Sequence, residues 1–372
     1  MKALSVGSLW VVSIIGLSAS LLGASVPGFA DRGSTVPPMD QLQSAIDGGL
    51  SFLAGDQQAS GHFTLERWNR QDDQAPRFQQ TSPFATTHVV SAINGIDQPA
   101  VHTIVERALA ALSDDQGPDG FWKFIVHADP ASARMPPDVE DTALSAGLLR
   151  RAGRLRVQPD LLPYRDERGR FITWMFPHGA PTAEELAFYS GPPLFYERRA
   201  PNETDCVVNV NALFYYGSLS QPPQATCKYV NEMTQQRGFP ACSLYYARAY
   251  PIWGYVVARA YHAGASCLTP SVPVIRQQVL ASRNAQGSWG DSFTTALAVA
   301  TLLALGERPA TVAPAIERLL AARGPDGGWN AEPFFVENLT PDIVFGSRAL
   351  TTATVLEALA GYHQALVRGD AQ

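Results

Sequence analysis

Gln116-Gly-Pro-Asp-Gly-Phe-Trp122, Gln286-Gly-Ser-Trp289 and Arg323-Gly-Pro-Asp-Gly-Gly-Trp329 are near-copies of one turn. Each follows a segment with helical spacing of apolar residues and precedes another. A turn that recurs in one structural context marks repeated supersecondary units, none of which buries its apolar face alone. Working outward from the turns, each unit reads as an outer helix, a Gly-rich turn and an inner helix. Residues 42–53 lead to 82–93, residues 101–112 to 138–149, and an irregular segment near 171–176 to 205–216. Residues 226–236 lead to 246–261, residues 272–282 to 291–305, and residues 313–322 to 347–359. Six such pairs predict an all-α fold, an (α/α)6 toroid closed by six inner and six outer helices.

The inner segments share a pattern. Ser82, Asp138, Asp291 and Ser347 each stand four residues before a threonine, Thr86, Thr142, Thr295 and Thr351. Ser and Asp cap helix N-termini because their side-chain oxygens accept an otherwise orphaned backbone N–H. Small residues follow, such as Ala143, Ala146 and Gly147, and little charge lies beyond the first turn, as in helices buried on most sides. Trp122, Trp289 and Trp329 read as wedges between helix pairs.

The repeats run from about residue 40 to about residue 365 of 372, which predicts one domain over residues 31–372. An irregular insertion at about 157–201 interrupts it, with seven prolines and many charges. A net charge of −6 and the lack of a basic run argue against nucleic acid as a partner. Lys2, an apolar stretch over 6–22 and the pair Gly28/Ala30 predict a signal peptide over residues 1–30. An uncleaved membrane anchor is the alternative, because residues 9–26 approach spanning length. The protein is expected to be secreted or periplasmic, or else anchored, with peripheral membrane contact possible. Cys206, Cys227, Cys242 and Cys267 allow two disulfides in three connectivities, and their spacing fits no zinc pattern. No metal and no cofactor is expected.

Two polar clusters carry candidate chemistry. Asp138, Glu140 and Asp141 crowd the start of one inner helix, and crowded carboxylates in a dry cavity cannot all ionise. Capping accounts for Asp138, and a box closed three residues later accounts for Asp141. It leaves Glu140 unexplained. Asp205 and Asn209 stand i,i+4 and should share a helix face, here read as a substrate-binding wall. Tyr250 and Trp253, from an aromatic run that also holds Tyr245, Tyr246, Arg248 and Tyr255, are candidate substrate contacts. His88 is a candidate at the ring mouth.

The Gln/Arg-Gly-x-x-Gly-x-Trp turns resemble the QW-type repeats of the prenyltransferase and squalene-cyclase superfamily over most of the chain. Asp138-Val-Glu140-Asp141-Thr142-Ala143 is similar to the Asp-x-Asp-Asp-Thr-Ala motif of class II terpene cyclases, with Glu140 where the motif has Asp. In that family the middle acid protonates an alkene or epoxide and starts a carbocation cascade. The resemblance implies Glu140 as general acid, Asp138 and Asp141 tuning it, and a small lipid-like isoprenoid as substrate. It also implies cation-stabilising aromatics such as Phe214, Tyr215, Tyr250 and Trp253. The zinc site of protein prenyltransferases is not matched, since Asp291-Ser-Phe293 lacks its Cys. Two other readings stay open. One is a non-catalytic exported toroid that binds a partner. The other is a carbohydrate-active (α/α)6 hydrolase or lyase using the same acids.

Overall fold

The computed structural model describes residues 37–369 except 73, 75, 177–182, 184–202, 248 and 337–341. The N-terminal segment 1–30 and most of the second half of the insertion lie outside the described residues. In chain order the helices are α1 (Met39–Asp56), α2 (Pro83–Ile93), α3 (Pro99–Asp114), α4 (Val139–Arg151), α5 (Cys206–Ser218) and α6 (Gln224–Gln235). They continue as α7 (Tyr250–His262), α8 (Val272–Ala281), α9 (Ser292–Ala304), α10 (Pro309–Ala321) and α11 (Arg348–Val367).

Helices α1, α3, α6, α8 and α10 are amphipathic and bury one face. Helices α2, α4, α5, α7, α9 and α11 bury nearly every side. The inner six pack in succession, each on the next, and α11 returns to α2. The third outer position holds no helix among the described residues. Residues 157–176 run there as irregular chain with one internal bridge, Arg165 to Phe171, and another from Trp174 to Asp138, where Pro159 and Pro163 cannot supply helical N–H groups.

The repeated turn explains how each unit locks. Its backbone is closed by N–H to C=O bonds four residues apart: Gly117 to Phe121, Asn284 to Ser288 and Gly324 to Gly328, at 2.8–2.9 Å. Two further copies, Gln58 to His62 and Asp166 to Arg170, close the same way at 2.9 and 2.8 Å. The next residue then donates its N–H to a side chain in the first turns of an inner helix. The pairs are Phe63 to Thr86, Trp122 to Thr142, Phe171 to Asn209, Trp289 to Thr295 and Trp329 to Thr352. In the last unit that acceptor is Thr352, one residue beyond the expected Thr351. Each Trp also donates its indole N–H to the carbonyl of the residue ten positions earlier, Leu112, Val279 or Leu319, at 2.7–2.8 Å. That bond satisfies one of the orphaned carbonyls at the end of the outer helix. The glycine of the turn adopts positive φ, and at Gly327 (φ 91°) a Cβ would lie 2.4 Å from the Gly48 carbonyl oxygen in α1. The turn of the last unit is thereby pressed against the first helix.

An antiparallel sheet departs from the all-α expectation. Strands β1 (Phe63–Asn69), β2 (Phe78–Ser82), β3 (Phe335–Val336) and β4 (Ile343–Gly346) align in the order β2-β1-β4-β3. Residues 63–66 alternate Phe-Thr-Leu-Glu, and Phe63, Leu65 and, after a break at Arg67, Trp68 are buried. Pairing β1 with β4 joins the turn region of the first unit to that of the last.

The disulfides are Cys206–Cys242 and Cys227–Cys267. By chain entropy each loop contributes about 3–4 kcal/mol, so reduction should lower the midpoint of chemical denaturation well beyond measurement error. Equal midpoints with and without reductant would remove the bridges from the account. No helix among the described residues is long and apolar enough to cross a membrane.

Candidate active site

Helix α4 begins where the sequence places its cap. Asp138 accepts the Asp141 N–H at 2.8 Å, which turns Glu140 away from the cap and into the ring. Glu140 Oε1 accepts two hydrogen bonds, from the Tyr246 hydroxyl at 2.5 Å and from Asn211 Nδ2. Arg259 Nη2 donates to Asn211 Oδ1 at 2.7 Å, which fixes the amide with its NH2 towards Glu140. Both bonds fall on Oε1, which leaves Oε2 for the proton.

Burial pushes the Glu140 carboxyl up to about 8, with the charges of Asp138 and Asp205 adding to the rise against the Tyr246 and Asn211 bonds. The neighbouring pair shares one environment. Burial raises both, and Asp141 is driven well above the usual range, further lifted by the Asp138 charge and by hydrogen bonding to it. The arrangement keeps Glu140 protonated at neutral pH. Glu140 retains a partly accessible edge on a pocket whose aromatic walls are Phe84, Phe124, Trp174, Tyr245, Tyr246 and Phe335. The cavity holds about 30 Å³, on the order of two waters by the same measure.

Tyr246 reaches Glu140 because the chain before α7 is pinned. Asp205 caps α5 through Val207 N (2.6 Å) and Val208 N (3.3 Å), and its other oxygen accepts Leu244 N (2.5 Å) and Tyr245 N (3.2 Å). The Cys206–Cys242 bridge holds the same segment from the next residue. Val336 N donates to the Tyr245 carbonyl at 2.7 Å from the other side. The sequence reading placed residues 246–249 on the inner helix. Tyr246, Ala247 and Ala249 instead precede the helix, and Pro251 sits in its first turn.

The structure places the remaining candidates away from the acid's pocket. Asp205 spends both oxygens on backbone N–H groups, and its carboxyl rises to about 6 through burial. Asn209 bonds Phe171 N (2.8 Å) and Phe171 O (3.0 Å), so it fills the place that threonine fills in other units. Trp253 is stacked on Phe239 at 5.4 Å and donates to Thr234 Oγ1, towards the outer layer. Tyr250 faces the same Phe239. Phe214 lies between two arginines at the other end of the ring, and Tyr215 bonds the Pro159 carbonyl. His88 points inward, bonded through Nδ1 to the Phe84 carbonyl and packed on Phe84 and Phe334. Burial, reinforced by the Arg259 charge, holds it well below the usual imidazole range, so it is neutral. Arg248 lies outside the described residues.

The sequence does not mark Asn211 and Tyr246 as contacts of the acid, nor Arg259 as the support of Asn211. Asn211 follows Asn209 by two residues, about 200° around the helix, which puts it on the opposite face. That rotation was the available signal.

The raised carboxyls set a sign for stability. Glu140 (about 8), Glu357 (about 7) and Asp205 (about 6) all hold protons more tightly folded than at their ordinary values of 4.5, 4.5 and 3.8. Between those limits the folded chain binds more protons than the unfolded one, so stability falls as pH rises. It is full below about pH 4 and is lost progressively as pH climbs through 6 to 8. Thermal melts should therefore give a higher Tm at about pH 5 than at about pH 8, and the reverse order would contradict these assignments.

No protein-family model and no curated protein sequence matches the chain. Solved structures do. A variant of the type II terpene cyclase MstE from Scytonema, bound to geranylgeranyl dihydroxybenzoate, superposes with TM-score 0.68 at 17% identity, covering 89% of this chain and 99% of that one. Another MstE variant, bound to merosterolic acid A, gives 0.67 at 18% identity, covering 88% and 98%. A protein from Actinoplanes gives 0.67 at 16% identity, covering 86% and 99%. The chain has the toroid fold of the type II terpene cyclases.

Proposed function

We propose that this protein is an exported enzyme that cyclises or isomerises an isoprenoid-like lipid, with Glu140 as the general acid. The observation that carries the reading is a carboxyl set among aromatic rings, with both bonded partners on one oxygen. Glu140 Oε2 donates its proton to a terminal alkene, the π pair forms the new C–H bond, and the cation passes to the next alkene or loses a proton. The net change is an isomerisation. Phe84, Phe124 and Phe335 offer ring faces to the developing charge. The charges of Asp138 and Asp205 disfavour ionisation of Glu140, and Asp141 acts on Asp138 by hydrogen bonding. Asp205 is a positioning residue, since it acts through Tyr246.

The closed (α/α)6 barrel over residues 31–372 is part of the same proposal, supported by the succession of inner helices and the return of α11 to α2. Export is supported by the two disulfides. A glycosidase needs two carboxyls about 5–9 Å apart across a groove that admits a sugar and water. The carboxyls here adjoin on one helix turn beside a small aromatic pocket, which favours the alkene. Entry of a prenyl terminus requires the aromatic walls to part, because the resting cavity is far smaller than five carbons.

The test is incubation of the protein in D2O with geranylgeranylated and farnesylated aromatic acids and with squalene. A product isomeric with its substrate, heavier by one deuterium, supports the reading. Conversion of none of the panel, or a product without solvent deuterium, overturns it. The rate should fall as pH rises through about 8, where Glu140 loses its proton; a rate that climbs across that range would assign the acid elsewhere.

A further inference from the structure

The ring interior has a second cavity, at the end opposite the carboxyls. It holds about 530 Å³ among the C-terminal turns of α2 and α4, helix α3 and the facing sides of α5, α7 and α11, a volume typical of small-molecule sites. One wall is apolar, from Val105, Leu109, Leu148 and Phe214. The other is cationic. Arg151 lies 4.1 Å and Arg259 5.3 Å from the centre of the Phe214 ring. Burial, and then the like charge of Arg259, lower the Arg151 guanidinium to about 10.

These two cations are under-compensated. Arg151 Nε donates to the Gly147 carbonyl at 3.3 Å, a bond that the dipole at the end of α4 accounts for. Arg259 gives one N–H to Asn211, while its buried Nε and Nη1 have no hydrogen-bond partner among the described residues. At the rim Arg154 already pairs with Glu106. The interior carboxyl, Glu357, accepts from the Tyr255 hydroxyl at 2.8 Å and is raised to about 7 by burial, so it is only partly ionised at neutral pH.

We propose that this cavity binds an oxyanion, carboxylate or phosphate, carried on an apolar body. The oxyanion takes the guanidinium of Arg151, and Arg259, which lines the same cavity, supplies the second positive charge beside it. The apolar body lies on Leu148 and Phe214. Arg259 also holds Asn211, which holds Glu140, so an occupant touches the support of the acid from behind. The inference does not depend on what Glu140 does.

The full chain would be titrated calorimetrically with farnesyl monophosphate, inorganic phosphate and farnesol. Saturable binding of farnesyl monophosphate is expected, weakened about tenfold or more in Arg151→Gln and in Arg259→Gln. Inorganic phosphate should bind more weakly at the same site and compete, which separates an amphiphile from a free anion as the preferred occupant. Glu140→Gln should bind farnesyl monophosphate like the unaltered chain, so failure of the cyclase reading leaves this result intact. Arg151→Gln, which loses one carbonyl bond and its contact with the Phe214 ring, guards against misfolding of the Arg259 variant, with circular dichroism as the check. Absence of saturable heat with both phosphates, farnesol binding as tightly as its phosphate, or unchanged affinity in a folded Arg151→Gln overturns the proposal.

Discussion

Replacing Glu140 by Gln should abolish turnover, by about 10³-fold or more given what a positioned general acid contributes, without unfolding the protein. Gln keeps the carbonyl oxygen that accepts from Tyr246 and Asn211, so the local hydrogen bonds survive. It also cannot ionise. Where the wild-type carboxyl gives up its proton, near pH 8, the variant escapes the charge that burial penalises. Melting temperatures should be similar near about pH 4, and the variant should gain progressively as pH rises and be clearly higher at about pH 9. A variant that stays active, or that is less stable in alkali, would sink the assignment of Glu140 as the buried acid.

Trp329→Ala should be the most damaging change to the fold, at about 4 kcal/mol. The side chain is fully buried, its indole bonds the Leu319 carbonyl at 2.7 Å, and its backbone N–H bonds Thr352 Oγ1. Truncation leaves both a void and an unpaired carbonyl. Trp329→Phe should cost only about 1–2 kcal/mol, because Phe63 and Phe171 already occupy the same place in two other units. Urea denaturation of the two variants measures the difference; equal losses would show that the indole bond, rather than ring volume, decides.

The sequence was most legible where it repeats. Three Trp turns, the caps Ser82, Asp138, Asp291 and Ser347, and the burial of the inner helices all follow from local pattern. Two turn copies escaped notice because Gly61-His62-Phe63 and Gly169-Arg170-Phe171 lack the Trp. The third outer position, which holds no helix among the described residues, and the sheet were harder to read. Short strands pair across the chain, and no local window contains both partners. Glu140 stood out by resemblance and by being surplus to capping. Its partners did not, since Asn211, Tyr246 and Arg259 converge only when three helices are assembled. The same reason hid the cationic cavity, whose arginines are more than a hundred positions apart.

The pairing of β1 with β4, together with Gly327 against Gly48, ties the first unit to the last. In an open array of repeats each unit answers only to its neighbours, and folding can spread from any point. Here the seam is made of contacts with nearly the largest sequence separation the chain allows. Such contacts form late and slow the search. Synthesis would therefore release a curved, unsealed array whose two end faces stay uncovered until the sixth unit emerges. A chain cut before α11 should remain in that state, with its ends open to aggregation. Moving the termini to another junction between units, while linking the old ends, should leave the packing of the inner helices intact, because the seam is one junction among several.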